Sequence, residues 1–202
     1  MNNNFNSYVL RRKTVHFTLG ILFVVFINSS FINYDTNLVF ILLIGVIFSL
    51  LASWYIKQKQ PKRILSFLAL FDKPKDLKNF PAKGAVFYLI GLLAAVVLFD
   101  KEITSASILI LAVGDPTAHF IANYYGKTKT IINKNKLLEG TLAGTLAGAI
   151  AALYFVSLPL AFFGAAFGMM AEAVELEMFN LDDNFFIPFV AGLTMSLIKL
   201  LI

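Results

Sequence analysis

The chain has 202 residues, 17 Lys and Arg against 12 Asp and Glu for a net charge of +5, and no cysteine. It is 58% hydrophobic and only 14% charged, with a mean hydropathy of +0.77, whereas soluble domains average about 45–50% apolar and about 25% charged residues. An ordinary soluble domain is therefore excluded, and so are disulfides, thiol catalysis and cysteine-held metals.

A membrane-crossing helix needs roughly 17–25 mostly apolar residues. The apolar runs predict an all-α polytopic membrane bundle of seven transmembrane helices, over 14–32, 37–56, 85–100, 103–125, 140–157, 158–177 and 185–202. Six is the alternative count, because the third run is short and only Ser157 and Pro159 separate the fifth from the sixth. The basic N-terminus ahead of an apolar stretch imitates a signal peptide, but no small-residue cleavage site follows Ile32, so the segment is expected to stay. Residues 1–202 then form a single integral-membrane domain. In the 57–83 connection, the run from Ile64 to Phe71 is too short to span and reads as an interfacial helix. With the N-terminus cytoplasmic, one side receives 15 of the 17 basic residues and the other only Lys101 and Lys199, which sets the orientation. Basic loops of this kind also contact anionic lipids. The basic residues lie beside the membrane without interleaved stacking platforms, so no nucleic acid is expected.

Placed on this topology, polar residues far apart in sequence fall on the cytoplasmic side. Arg12, Lys13 and His16 start the first span. Asp115 lies inside the fourth, where Gly114 and Pro116 predict a broken helix. Glu139 begins the fifth, Glu172 and Glu175 share a face of the sixth, and Asp182, Asp183 and Asn184 form the last cytoplasmic turn. With Glu177, seven acids can meet there. Ionisable groups within a bilayer are costly and mark function by default. His119, one turn beyond Asp115, is a candidate to orient it. Carboxylates beside lysines suit a metal–phosphate site, since Mg²⁺ is usually held by one or two carboxylates plus substrate phosphates. Phosphoryl transfer needs positioning and charge stabilisation more than a nucleophile. Gly140, Gly144 and Gly148 form a small-residue stripe that suits an internal helix contact or a dimer. No Walker A, HExxH or serine-triad signature occurs.

Four elements resemble, in order, those of the CTP-dependent membrane lipid-alcohol kinases, the family of dolichol, phytol and diacylglycerol kinases. "RRKTVH" is similar to the R-K-x-x-H element and gives Arg12, Lys13 and His16. "GDPTAHFIANYYGKTK" gives Gly114, Asp115, Ala118 and Gly126. "KLLEGTLAG" gives Lys136, Glu139, Gly140, Thr141 and Ala143. "AEAVELEMFNLDDNFFIP" gives Glu172, Asp182, Asp183, Asn184 and Pro188, with Glu175 as the alternative to Glu172. Leu137 stands where the family has Ser or Thr, which leaves backbone or Thr141 to replace that hydroxyl.

The resemblance implies an enzyme that transfers the γ-phosphoryl of CTP, as Mg-CTP, to the hydroxyl of a lipid alcohol at the cytoplasmic face, the plasma membrane being the default. Asp115, Glu139, Asp182 and Asp183 would be catalytic. Those four with Glu172 and Glu175 are the metal candidates. Arg12, Lys13, His16, Gly114, Gly126, Lys127, Lys129, Lys136, Gly140, Thr141 and Asn184 would bind the nucleotide. The donor could also be another nucleoside triphosphate. Phosphatidate cytidylyltransferases share a similar central region, but their basic, His-Gly-Gly and Asp-Arg C-terminal pattern is absent. An ion-coupled transporter is the remaining class, against which stand the lack of inverted repeats and the charges gathered at one surface.

Overall fold

In the computed structural model, described for residues 7–29, 34, 36–130, 133, 136–174 and 182–202, the regular structure is helical, apart from one isolated antiparallel bridge between Lys129 and Leu137. The helices are α1 (Ser7–Asn28), α2 (Thr36–Lys59), α3 (Lys62–Leu68), α4 (Pro74–Asn79), α5 (Lys83–Leu98), α6 (Lys101–Leu109), α7 (Asp115–Tyr125), α8 (Leu138–Ala152), α9 (Leu158–Val174) and α10 (Asp183–Lys199). A π-helical turn, Ile110–Gly114, joins α6 to α7 without a break.

That joined helix is the axis of the bundle. The π turn is touched by α1, α6, α7, α8, α9 and α10, and α2 packs on α5. Within its most apolar stretch the axial helix is 56% buried, against 22% for α2, so α2 lies outside and the axis inside. Ile103, Ile108, Ile110 and Leu111 of the axis are fully enclosed, with Met169, Ile187 and Met195 from its neighbours. Small residues let the helices close up, as in membrane bundles generally. A Cβ on Gly20 would stand 2.6 Å from that of Ala112, and one on Gly164 would stand 2.7 Å from Met195.

Two helices, Thr36–Lys59 and Lys101–Tyr125, are long and apolar enough to cross a membrane, and Lys83–Leu98, Leu138–Ala152 and Leu158–Glu172 are shorter apolar helices. The outer surface points the same way. Leu22, Val25, Ile44, Phe48, Leu51, Leu146 and Ile150 are all exposed. So dense an apolar exterior is adverse in water and natural in lipid, and the chain is a membrane protein.

Three local differences from the sequence expectations have physical causes. First, α1 starts at Ser7, so Arg11, Arg12 and Lys13 ride on the helix itself; no Gly or Pro precedes Gly20 to stop it. Second, the run at 64–71 ends at Leu68, and a second short helix, α4, follows with Pro74 at its first turn. Between α4 and α5, Ala82 is held in the left-handed region at φ 58°, a conformation that costs about 1–2 kcal/mol for a residue with a Cβ. Its amide donates to Asp72 Oδ2 at 2.6 Å, and the Ser53 hydroxyl donates to the Pro81 carbonyl at 2.6 Å. These bonds fix where α5 begins. Third, the expected break at Gly114–Pro116 is the π turn. Proline lacks an N–H and clashes with the carbonyl four residues back in a regular helix; the wider turn before Pro116 relieves that conflict and lets the helix continue.

Candidate functional site

Asp115 is the first residue after the π turn and is completely buried. π turns of this kind recur at functional positions because they shift the register of the residues that follow. Here the turn is held from α8. A Cβ on Gly114 would meet the Gly144 carbonyl at 3.0 Å, and one on Gly144 would meet Met169 at 2.7 Å and the Gly114 carbonyl at 2.8 Å. A Cβ on Gly140 would meet the Ala118 carbonyl at 2.6 Å, and Gly148 sits over Ile110. The glycine stripe of α8 is thus an internal contact, and Gly114 and Gly140 are both used in it.

The Lys13 ammonium, itself buried on α1, donates to Asp115 Oδ1. The other oxygen, Oδ2, is buried with no hydrogen-bond partner among the described residues. Lys136 donates to Glu172 Oε1 at 2.8 Å, which ties the 126–137 loop to α9. Burial works against the Lys136 charge, yet the carboxylates of Glu172, Asp183 and Asp115 hold its pKa above the usual lysine range. The half-buried Asp183 carboxylate faces the Lys136 and Lys13 charges. The Arg12 guanidinium lies in the field of the Asp182, Asp115 and Asp183 carboxylates, and its Nε is buried with no hydrogen-bond partner among the described residues. These residues, with Lys13, form one cluster drawn from α1, the π turn, the 126–137 loop, α9 and α10.

The start of α10 is built by its own sequence. Asp182 caps it, its Oδ1 accepting from the Asn184 amide at 3.2 Å, as acids do at helix N-termini. Asn184 is buried and donates from Nδ2 to the Gly84 carbonyl at 3.1 Å, joining α10 to α5. His16 is buried, stacks on Tyr88 at 5.0 Å between ring centroids, and has an Nδ1 with no hydrogen-bond partner among the described residues. The Tyr88 hydroxyl donates to the His16 carbonyl at 3.3 Å.

Other candidates lie elsewhere. Both oxygens of Glu139 accept from the Thr128 amide, at 3.0 and 3.2 Å. Its carboxyl is lowered by backbone bonds at the start of its own helix and in that loop. Together with Leu138 N–H to Thr128 O at 2.8 Å and Thr130 N–H to Lys136 O at 2.9 Å, it latches the loop that delivers Lys136. Lys127 and Lys129 are exposed. Gly126 ends α7 beneath Leu137, and the Thr141 hydroxyl bonds within α8 to the Leu137 carbonyl. His119 pairs with Asn123 at 3.0 Å instead of Asp115. Glu175 and Glu177 lie outside the described residues. Tyr88 and Gly84 were not legible as site partners, since each joins the site through a contact across the bundle.

Among the described residues, no three His, Asp or Glu side chains are gathered as a ready metal cage. A magnesium nucleotide asks for less, one or two carboxylates beside its own phosphates. The buried carboxylate of Asp115 and the half-buried one of Asp183, next to lysines, fit that donor set, and Asp115 Oδ2 has no hydrogen-bond partner among the described residues.

No family model matches the chain, and no solved structure is similar to it. Curated proteins that it resembles include three named CTP-dependent diacylglycerol kinase 1. The protein from Saccharomyces cerevisiae is 24% identical over 94% of this chain and 73% of its own length. That from Eremothecium gossypii is 26% identical over 64% of this chain, and that from Schizosaccharomyces pombe 30% over 57%. The chain spans about half the length of the Eremothecium protein, at 48%, and 60% of the Schizosaccharomyces one.

Proposed function

We infer that the chain is a CTP-dependent lipid kinase, as the names of the proteins it resembles suggest, and that it transfers the γ-phosphoryl of CTP to a membrane lipid alcohol, with diacylglycerol as the acceptor those names favour. The observation that carries the reading is the set of buried side-chain atoms without a hydrogen-bond partner among the described residues. Arg12 Nε, His16 Nδ1 and Asp115 Oδ2 come from one end of the bundle, where the lysines also pair with acids. Each such group costs stability unless a ligand completes it.

The bundle would place α1, α2, α5, the joined α6–α7, α8, α9 and α10 as seven spans. The N-terminus and the basic connections would face the cytoplasm by the lysine and arginine bias. In the reaction, the acceptor hydroxyl oxygen forms a bond to the γ-phosphorus. The bond from that phosphorus to the β–γ bridging oxygen breaks, and CDP departs with the electron pair. Asp115 Oδ2 accepts the hydroxyl proton while Lys13 fixes Oδ1. Lys136 and Arg12 balance phosphate charge, and such preset electrostatics is the main catalytic resource of phosphoryl transfer. Mg²⁺, when bound with the nucleotide, would neutralise triphosphate charge and would be held by Asp183 beside the nucleotide's own phosphates. Glu139 keeps the loop closed so that Lys136 stays in place.

Purified protein given Mg²⁺ and γ-labelled CTP, in parallel with ATP, tests this against diacylglycerol, phytol, a polyprenol and phosphatidic acid. Label in a lipid monophosphate is expected, with CTP and diacylglycerol the best pair. Pyrophosphate release with phosphatidic acid alone would assign cytidylyl transfer instead, and no transfer with any pair would overturn the reading.

A further inference from the structure

An open apolar groove of about 590 Å³ runs between α1 and α5. Leu19, Phe23, Tyr88 and Leu92 line its middle, and Phe26 marks its far end. From Val15 to Phe26 the groove follows eleven helical steps, about 16 Å at the helical rise, or roughly half of a ~30 Å hydrocarbon core. It therefore has the length of one leaflet. Its polar end is His16, buried, with Nδ1 unpartnered among the described residues. His16 is three residues from Lys13 and four from Arg12, so all three share a face of α1. The polar end of the groove thus lies one turn of α1 from Lys13, which pairs with Asp115.

Resting on the kinase reading, we propose that the α1–α5 groove holds one acyl chain of the diacylglycerol acceptor and that His16 positions the acceptor's hydroxyl through Nδ1. The argument for this occupant is the match of chemistry along the groove. An apolar trough of one-leaflet length, with a hydrogen-bonding atom at its polar end that has no partner among the described residues, suits an acyl chain whose glycerol carries a free hydroxyl. The groove assigns His16 to the lipid side of the site, not the nucleotide side.

Ala85 lines the same groove beside His16, so Ala85→Phe fills it. The expected result is an acceptor KM raised about tenfold for long-chain diacylglycerol, in the range that pocket steric changes produce. Short-chain diacylglycerol should suffer less, and the KM for CTP should stay within about twofold. His16→Leu should raise the acceptor KM, and His16→Asn, which keeps a polar atom near the Nδ1 position, should recover most of the loss. Unchanged acceptor KM in Ala85→Phe, as for a groove filled only by bulk lipid, would overturn the inference. So would a rise confined to the KM for CTP.

A second measurement uses the unaltered protein. A diacylglycerol with a photoreactive group on one acyl chain should label Leu19, Leu89 or their neighbours in the groove. Turnover with labelling only elsewhere sinks the groove and keeps the kinase. Groove labelling without turnover sinks the kinase reading and keeps the lipid site. Neither labelling nor turnover sinks both.

Discussion

Both ends of the axial helix bury polar groups, and the two are oppositely built. At the α6 end, Thr104, Ser105 and Ser107 are fully enclosed, and their hydroxyls donate to the carbonyls of Ala95, Lys101 and Thr104 at 2.8, 2.8 and 2.9 Å. The Tyr34 hydroxyl adds bonds of 2.7 Å to the Phe99 carbonyl and to Thr104 Oγ1. Asp100 caps the helix through the Ile103 amide at 2.9 Å and pairs with Lys199 at 2.7 Å. At the α7 end the buried groups are charged, and three side-chain atoms have no partner among the described residues. Neutral hydroxyls that satisfy one another within the protein serve stability. Buried charges left incomplete are costly, and their persistence at one end is the physical mark of a ligand site.

Asp115→Asn breaks that comparison most sharply. Asparagine keeps the volume and an oxygen for Lys13, but it cannot take a proton or bind a cation as a carboxylate does. Turnover of CTP and lipid should fall by about 10³-fold or more, while the helical signal in circular dichroism persists. Retained activity in a folded variant would remove Asp115 from the mechanism.

Gly144→Val tests the support beneath the site. Its Cβ would meet Met169 at 2.7 Å, Ala118 at 2.8 Å and the Gly114 carbonyl at 2.8 Å. Overpacking of this kind costs about 1–3 kcal/mol, so lower thermal stability and lost activity should appear together. A variant as stable as the parent would mean that α8 does not hold the π turn.

Thr104→Val is the counterpart at the neutral end. It removes one hydroxyl and leaves Tyr34 with the Phe99 and Val96 carbonyls, at 2.7 and 3.1 Å. Stability should drop by about 1–3 kcal/mol, with kcat of the remaining folded protein unchanged. A fall in kcat at full stability would show that this end also takes part in catalysis.

How much of this was legible follows from distance along the chain. The apolar runs located the long helices, because hydropathy is a local property, and Asp115 stood out as a lone acid inside such a run. The partners did not stand out. Lys13 and Asp115 are 102 residues apart, Lys136 and Glu172 are 36 apart, and Asn184 and Gly84 are 100 apart, so no periodicity joins them. The π turn was read as a break because Gly114 and Pro116 signal interruption equally for both. Glu139 was grouped with the other acids by its place at a helix start, and only the fold places Thr128 against both of its oxygens.

The smallest expected effect compares how the helices begin at the two ends. Asp100 caps α6 with its side chain, whereas Leu137, the residue before α8, makes no side-chain cap bond. The resemblance implies Ser or Thr at this position, and a helix cap would account for that hydroxyl without any contact to nucleotide. One free amide at the start of α8 is already served, since Leu138 donates to the Thr128 carbonyl at 2.8 Å. Leu137→Thr should therefore add about 0.5–1 kcal/mol of stability, offset in part by lost packing over Gly126. The KM for CTP should not change. A lowered KM at unchanged thermal stability would mean that the hydroxyl reaches the nucleotide, and the capping account of this position would fall.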